Sequence, residues 1–243
     1  MNINFSAAAL VAAMALAPSL VLAQDPADDD NGWSGKGELG LVKTTGNTET
    51  ESLLMNLEFV REQEQWRHRA AINALSSEDT GTTTAERYGF EWQSDYKLDD
   101  ISWVLGSFRY ESDEFSSYDN QQTLTVGYGR QLMDNARHSL VGEIGAGFRD
   151  AELQNGTSES GAIIRGLLDY TLAVTDNSQF TNRFLVESGS DNTFIKNLAG
   201  FSVSMNDRFA LKFGFEYRHN SDVAPGNDDT DTITSANLVV NFQ

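Results

Sequence analysis

His219 and Ser221 stand two residues apart. On an extended strand that spacing puts both side chains on one face. There an imidazole can take a hydroxyl proton and leave a nucleophile, provided a third group orients the ring. Asp191, at the end of the preceding strand-like segment, is the candidate for that third group. The chemistry would be attack on a carboxylic ester. The plainer reading makes His219 a polar residue at an interface and Ser221 the first residue of a loop, since so short a motif matches often by chance.

Other chemistries find less support. The histidines are His68, His138 and His219, and none pairs with another at metal-ligand spacing. Cysteine is absent, which excludes disulfides, Cys-ligated zinc and thiol catalysis. Asp222, Asp228, Asp229 and Asp231 fall in one loop and could offer calcium hard oxygen ligands. They lack the D-x-[DN]-x-[DN]-G spacing, and a solvated acidic loop is the simpler account. Neither GxxxxGK[ST] nor a GxGxxG opening a helix occurs, and no cofactor and no metal are expected. Gly145 and Gly147 lie in a strand-like segment, where glycine marks a close backbone approach or a bulge. With 17 basic and 36 acidic residues the net charge is -19. That balance argues against nucleic acid, whose recognition needs clustered bases to displace counterions.

The elements that carry these residues must be strands. Residues 7–23 are an apolar run ending in Val21-Leu22-Ala23, which reads as a signal peptide (1–23) cleaved before Gln24. Its first residues lack Lys and Arg, a departure from the rule, and no Cys follows that could carry a lipid. An acidic tail, 24–31, comes next. Beyond residue 23 no run approaches the ~18 apolar residues of a spanning helix. A barrel is still open, because its strands place apolar residues only at alternate positions.

Alternation is what residues 32–243 show. Tyr88, Phe90, Trp92, Tyr96 and Leu98 share one face; Arg87, Glu91, Gln93, Asp95 and Lys97 share the other. Phe209, Leu211, Phe213, Phe215 and Tyr217 alternate with Arg208, Lys212, Glu216 and Arg218. The pattern predicts twelve strands, over 33–43, 51–61, 66–77, 85–98, 101–111, 121–132, 138–149, 161–175, 179–187, 193–205, 208–220 and 232–242. Short polar turns alternate with longer loops, as in outer-membrane barrels with short periplasmic turns and long external loops. The first connection is long, so both termini are expected in the periplasm. Aromatic residues cluster near strand ends, as an interfacial girdle would require. Trp33, Trp66, Tyr96, Phe180, Phe209 and Phe242 fall at one end; Tyr88, Tyr110, Phe148, Phe194 and Tyr217 fall at the other. The expected fold is all-β, a transmembrane up-and-down antiparallel barrel.

Charge divides along that barrel. The six longer connections and their flanks carry 17 acids, Glu111, Asp113 and Glu187 among them, and the connections themselves hold no base. Such a rim would concentrate cations, divalent ones included, and would suit a lipopolysaccharide layer. A merely solvated rim is the plainer account. Arg69, Arg109, Arg165, Arg183, Asp95, Glu143 and Asp169 are expected to face the lumen, where they can pair or set ion selectivity.

Several stretches resemble the outer-membrane family catalogued as domain of unknown function 481, some members of which are labelled salt-induced outer-membrane proteins. They include Gly32-Trp33-Ser34-Gly35, Thr45-Gly46-Asn47-Thr48-Glu49, Trp66-Arg67-His68-Arg69, Ala85-Glu86-Arg87-Tyr88 and Ser94-Asp95-Tyr96-Lys97-Leu98. Further along come Arg109-Tyr110-Glu111, Glu187-Ser188-Gly189-Ser190-Asp191-Asn192-Thr193, Asn206-Asp207-Arg208 and Arg218-His219-Asn220-Ser221-Asp222. The resemblance implies a Gram-negative outer-membrane barrel, delivered by the secretion and barrel-insertion machinery, and no activity. Such barrels usually end on an aromatic residue; here Gln243 follows Phe242. The expected function is a non-enzymatic barrel, either a narrow pore or an envelope protein linked to salt or osmotic stress. The alternative is a lipid esterase using His219 and Ser221, since His-x-Ser is similar to the motif of outer-membrane phospholipases and lipid A deacylases. The following Asp222-Val223-Ala224-Pro225-Gly226 departs from their pattern.

Overall fold

The structure, a computed structural model, describes residues 32–44, 50–114, 116–223 and 228–242. The expected signal peptide and acidic tail lie outside the described residues. Twelve strands follow one another: β1 (Trp33–Thr44), β2 (Thr50–Glu62), β3 (Trp66–Asp79), β4 (Thr82–Asp99), β5 (Ser102–Asp113), β6 (Tyr118–Asp134), β7 (His138–Leu153), β8 (Ser158–Thr175), β9 (Ser178–Gly189), β10 (Thr193–Ser204), β11 (Phe209–Asn220) and β12 (Thr230–Phe242). Each pairs antiparallel with its chain neighbours, and β1 pairs with β12 from Gly35↔Phe242 to Gly40↔Asn237. The sheet is thus a closed barrel without an edge, which leaves no backbone row to aggregate or to desolvate unpaired.

The two faces are sorted as the alternation requires. On β6, Val126 is 68% exposed while its neighbour Thr125 is 2% exposed. On β4, Tyr88 and Phe90 are exposed, whereas Arg87, Gln93 and Asp95 are buried. A fold with charge inside and aliphatic groups outside is inverted relative to a water-soluble barrel. Lipid is the medium in which that arrangement is favourable, so the barrel is transmembrane.

The connections differ from expectation at the long-loop end. The loop expected over Glu78–Thr84 is a two-residue turn, with Thr80 at φ 51° and Gly81 at φ 76°. Two consecutive positive φ values make the tight hairpin turn whose twist matches its strands. The β-favouring Thr82, Thr83 and Thr84 extend β4 instead of forming loop. Likewise the β7–β8 ladder continues to Glu152↔Ser158. The length asymmetry is therefore carried largely by the strands. β4 and β8 have 18 residues each, against the ~9–11 that a tilted strand needs to span a bilayer.

At the opposite end, asparagine side chains tie the short turns. Asn135 Oδ1 accepts from the amides of Arg137 and His138, and Asn206 Oδ1 from those of Arg208 and Phe209, at 2.9–3.1 Å. Glycine matters where β1 meets β12. A Cβ at Gly35 would sit 2.5 Å from the Phe242 ring, which lies over that position and packs 6.1 Å from Phe59. Gly145 also marks a close backbone approach, since a Cβ there would meet Val126 O at 2.6 Å.

Trp33, Trp66, Phe209 and Phe242 are exposed near the short-turn end, where Trp66 packs edge-on against Tyr96 at 5.1 Å. Tyr88 and Tyr110 are exposed towards the long-loop end, and Tyr217 is half-buried there. Phe194 corrects the expectation. It is fully buried inside the barrel, because on β10 it shares its face with Lys196, Leu198 and Gly200, while Phe201 points out.

Candidate functional site in the barrel lumen

The inward face of nearly every strand delivers a charged residue to the lumen, and the structure pairs them in layers. Nearest the short turns, Lys212 Nζ donates to both oxygens of Glu38 at 2.8 and 2.9 Å, and Lys36 lies 3.5 Å from the same carboxylate. Arg67 donates to Asp95 at 2.7 Å while its guanidinium stacks 4.7 Å over Trp103. Trp103 in turn needs Gly129 opposite it, since any Cβ there would collide with the indole. Midway, Glu143 accepts from Arg165 at 2.9 Å and from Gln93 at 3.0 Å. Arg183 lies 3.8 Å from Asp169.

In the layer nearest the long loops the charged residues are paired around a buried aromatic ring. Arg109 bonds Glu187, and Arg218 bonds Glu111. Arg87 donates to Glu216 at 2.8 Å and lies 4.0 Å from Asp113. Phe194 fills the middle, with the Arg109 and Arg218 guanidiniums 4.9 and 5.4 Å from its ring centroid. Leu167 and Leu185 complete a small apolar cluster with it. We call this layer the plug. Its height follows from sequence adjacency. Arg87 precedes Tyr88, Glu111 follows Tyr110 and Arg218 follows Tyr217. Consecutive strand residues point to opposite faces at one level. The plug therefore sits level with the outward tyrosines.

Below the plug is a cavity of about 640 Å³. Its walls include Arg69, Arg109, Arg165, Asp169 and Arg183; Asp95 and Glu143 lie behind them, bonded to Arg67 and Arg165. The cavity reaches Lys36, Gln179 and Thr171 at the short-turn end, where Gln179 is exposed. It stops beneath Glu111, Arg218 and Tyr118, which are all buried and do not line it.

Glu111, Asp113 and Glu187 are expected on the solvated rim. Glu111 and Glu187 are buried instead, and all three sit beside arginines. Arg87, Glu91, Glu216 and Arg218, placed by alternation on the charged strand faces, join the lumen network as well, and Lys196 joins it with no such signal having singled it out. For the two buried acids the available signal was parity, since Glu111 lies two residues from Arg109 and Glu187 four from Arg183.

The proposed ester-cleaving constellation is not assembled. His219 Nδ1 lies 3.1 Å from Thr230 Oγ1 and 3.9 Å from Asp229, not against Ser221. Ser221 Oγ accepts from the Thr193 amide at 2.8 Å and donates to Asn192 at 3.3 Å, while Asp191 accepts from Ser190. A His–Ser contact does occur on the outward face, His68 Nδ1 to Ser94 Oγ at 2.9 Å, stacked beside Trp66. Ser94 Oγ also accepts from Trp92 Nε1 at 2.9 Å, and no described carboxylate is bonded to His68. Polar groups here satisfy one another at the lipid boundary. Among the described residues no group of three or more His, Asp or Glu is placed to hold a metal.

The family model described as "Protein of unknown function, DUF481" matches residues 37–242. The chain belongs to this family. A relative, uncharacterized protein YdiY of Escherichia coli strain K12, is 27% identical over 218 residues, covering 87% of this chain and 84% of its own. The COG4313 outer membrane channel from Pseudomonas putida F1 superposes with a TM-score of 0.54 at 8% identity, over 89% of this DUF481 chain and 97% of that one. At that identity the likeness is one of fold, the fold of outer-membrane barrels.

Proposed function

We propose that this DUF481 protein is a non-enzymatic barrel of the Gram-negative outer membrane, a narrow pore held shut at its outer end. The short turns and both termini face the periplasm, and the plug lies at the outer interface. The observation that carries this reading is the lumen itself: a charged cavity open at the short-turn end and stopped by the Phe194 layer. Twelve strands fall between small barrels filled by side chains and porins with broad aqueous channels. Here the lower half of the lumen is hollow and the upper half is filled.

Lipids and lipopolysaccharide are the expected surroundings, and the acidic outer loops would draw divalent cations to the rim. A role under salt or osmotic stress follows from the family resemblance and is tested by growth of a deletion strain at high salt. The pore is tested by liposome swelling in small sugars. Wild-type protein gives slow swelling, and replacing the pair as Arg218→Gln/Glu111→Gln speeds it severalfold. Equal rates for the two proteins would dispose of the plug as the closing element.

A further inference from the structure

The chain as a whole is strongly acidic, yet its cavity is not. Nine basic side chains line it against six acidic ones, Glu38, Glu58, Glu91, Asp169, Glu187 and Glu216. Most of the bases have a carboxylate at bonding distance. Two do not: among the described residues neither Arg69 nor Lys196 has a carboxylate within 4 Å. Arg183 comes closest to the same condition, with Asp169 at 3.8 Å. These three enter one cavity from β3, β10 and β9.

The acids that act on them stand further off and are divided among several bases. Glu91 is shared among Lys196, Arg183, Arg109 and Arg165, Glu216 and Glu111 act on Lys196 as well as on Arg87 and Arg218, and Glu58 and Glu143 act on both Arg183 and Arg69. Arg69 feels Glu58 and Glu143, but also the like charges of Arg183 and Arg67. Cations confined between low-dielectric walls are costly unless water or an opposite charge reaches them. A fixed carboxylate at every position would have filled the lumen, as it does in the plug. Here the space is left open.

We infer that the cavity is a binding site for a small multivalent organic anion bearing carboxylate or phosphate groups, held by Arg69, Arg183 and Lys196. Planar guanidiniums grip such groups through paired charge-assisted hydrogen bonds. The volume lies within the ~300–1,000 Å³ common for small-molecule sites. The two ends differ in charge. Exposed Glu114, Glu152, Asp222 and Asp229 at the long-loop end repel an anion, whereas at the short-turn end acids such as Glu62, Asp99 and Asp207 are interspersed with Arg67, Lys97 and Arg208. This site rests on the barrel reading above, but not on conductance, because a closed pore still leaves the cavity open from below.

The test is calorimetric titration of refolded protein with citrate and with inorganic phosphate, at constant ionic strength and with chloride as the control. Saturable binding is expected for at least one of them, and none for chloride. Arg69→Gln and Lys196→Gln should each weaken it about tenfold, the worth of one charge-assisted hydrogen bond. Circular dichroism and heat-modified gel mobility should not change. If Arg69→Gln does not refold, Lys196→Gln decides alone. Absence of saturable binding, equal affinity for chloride, or undiminished binding in the folded variants would overturn the site. None of these outcomes bears on whether the barrel conducts.

Discussion

The guanidinium of Arg109 lies against the ring of Phe194, 4.9 Å from its centroid, and Phe194 has no exposed surface. Arg218 approaches the same ring from another strand. Desolvated contacts of this kind contribute about 2 kcal/mol each. An aromatic ring thus organises the ion pairs of this layer of the lumen.

Phe194→Ala should leave a hole where the plug was. Deleting a buried phenylalanine costs about 3–5 kcal/mol, which urea unfolding in lipid vesicles would read. A loss under ~1 kcal/mol would mean the ring is not packed as described.

Glu187→Gln should destabilise the barrel, because it leaves Arg109 buried beside a neutral group. Breaking one partner of such a pair costs about 3–5 kcal/mol, whereas replacing both with apolar groups is close to neutral. Arg109→Met/Glu187→Leu should therefore be more stable than Glu187→Gln alone. Simple additivity in the double-mutant cycle would contradict the pairing.

Val126→Lys places charge on the outward face of β6, near the middle of the strand. The penalty expected at the bilayer midplane is about 2–4 kcal/mol. Glu114→Lys, in an exposed turn, should stay within about 0.5 kcal/mol of wild type. Equal effects would mean that the β6 face does not meet lipid.

Ser221→Ala removes two hydrogen bonds at the rim and should cost about 1 kcal/mol. It should change no lipid chemistry. Fatty-acid release from phospholipid or lipopolysaccharide that disappears in this variant would refute the non-enzymatic reading.

Much of the fold was legible because a barrel strand writes its two faces into alternate residues. All twelve strands fall within four residues of their expected bounds. Parity also selected Arg69, Arg109, Arg165 and Asp95 as residues sharing an inward face. What parity cannot supply is the partner across the lumen. Arg109 meets Glu187 at 78 residues' separation and Arg87 meets Glu216 at 129. Such pairs depend on barrel closure, which no local pattern encodes. Glu111 and Glu187 looked like rim acids because the strands run further outward than their hydrophobic portions suggest. Phe194 looked like a girdle residue because β10 mixes apolar and polar residues on both faces, Asn197 pointing out and Leu198 in.

Single-channel recording in a planar bilayer, at low and high salt, shows whether the Phe194 layer closes the lumen. Wild-type protein should be closed for most of the record, with small steps, and Phe194→Ala and Arg218→Gln/Glu111→Gln should give steps severalfold larger. Large wild-type steps unchanged in both variants, or silence in all three proteins, would contradict the account.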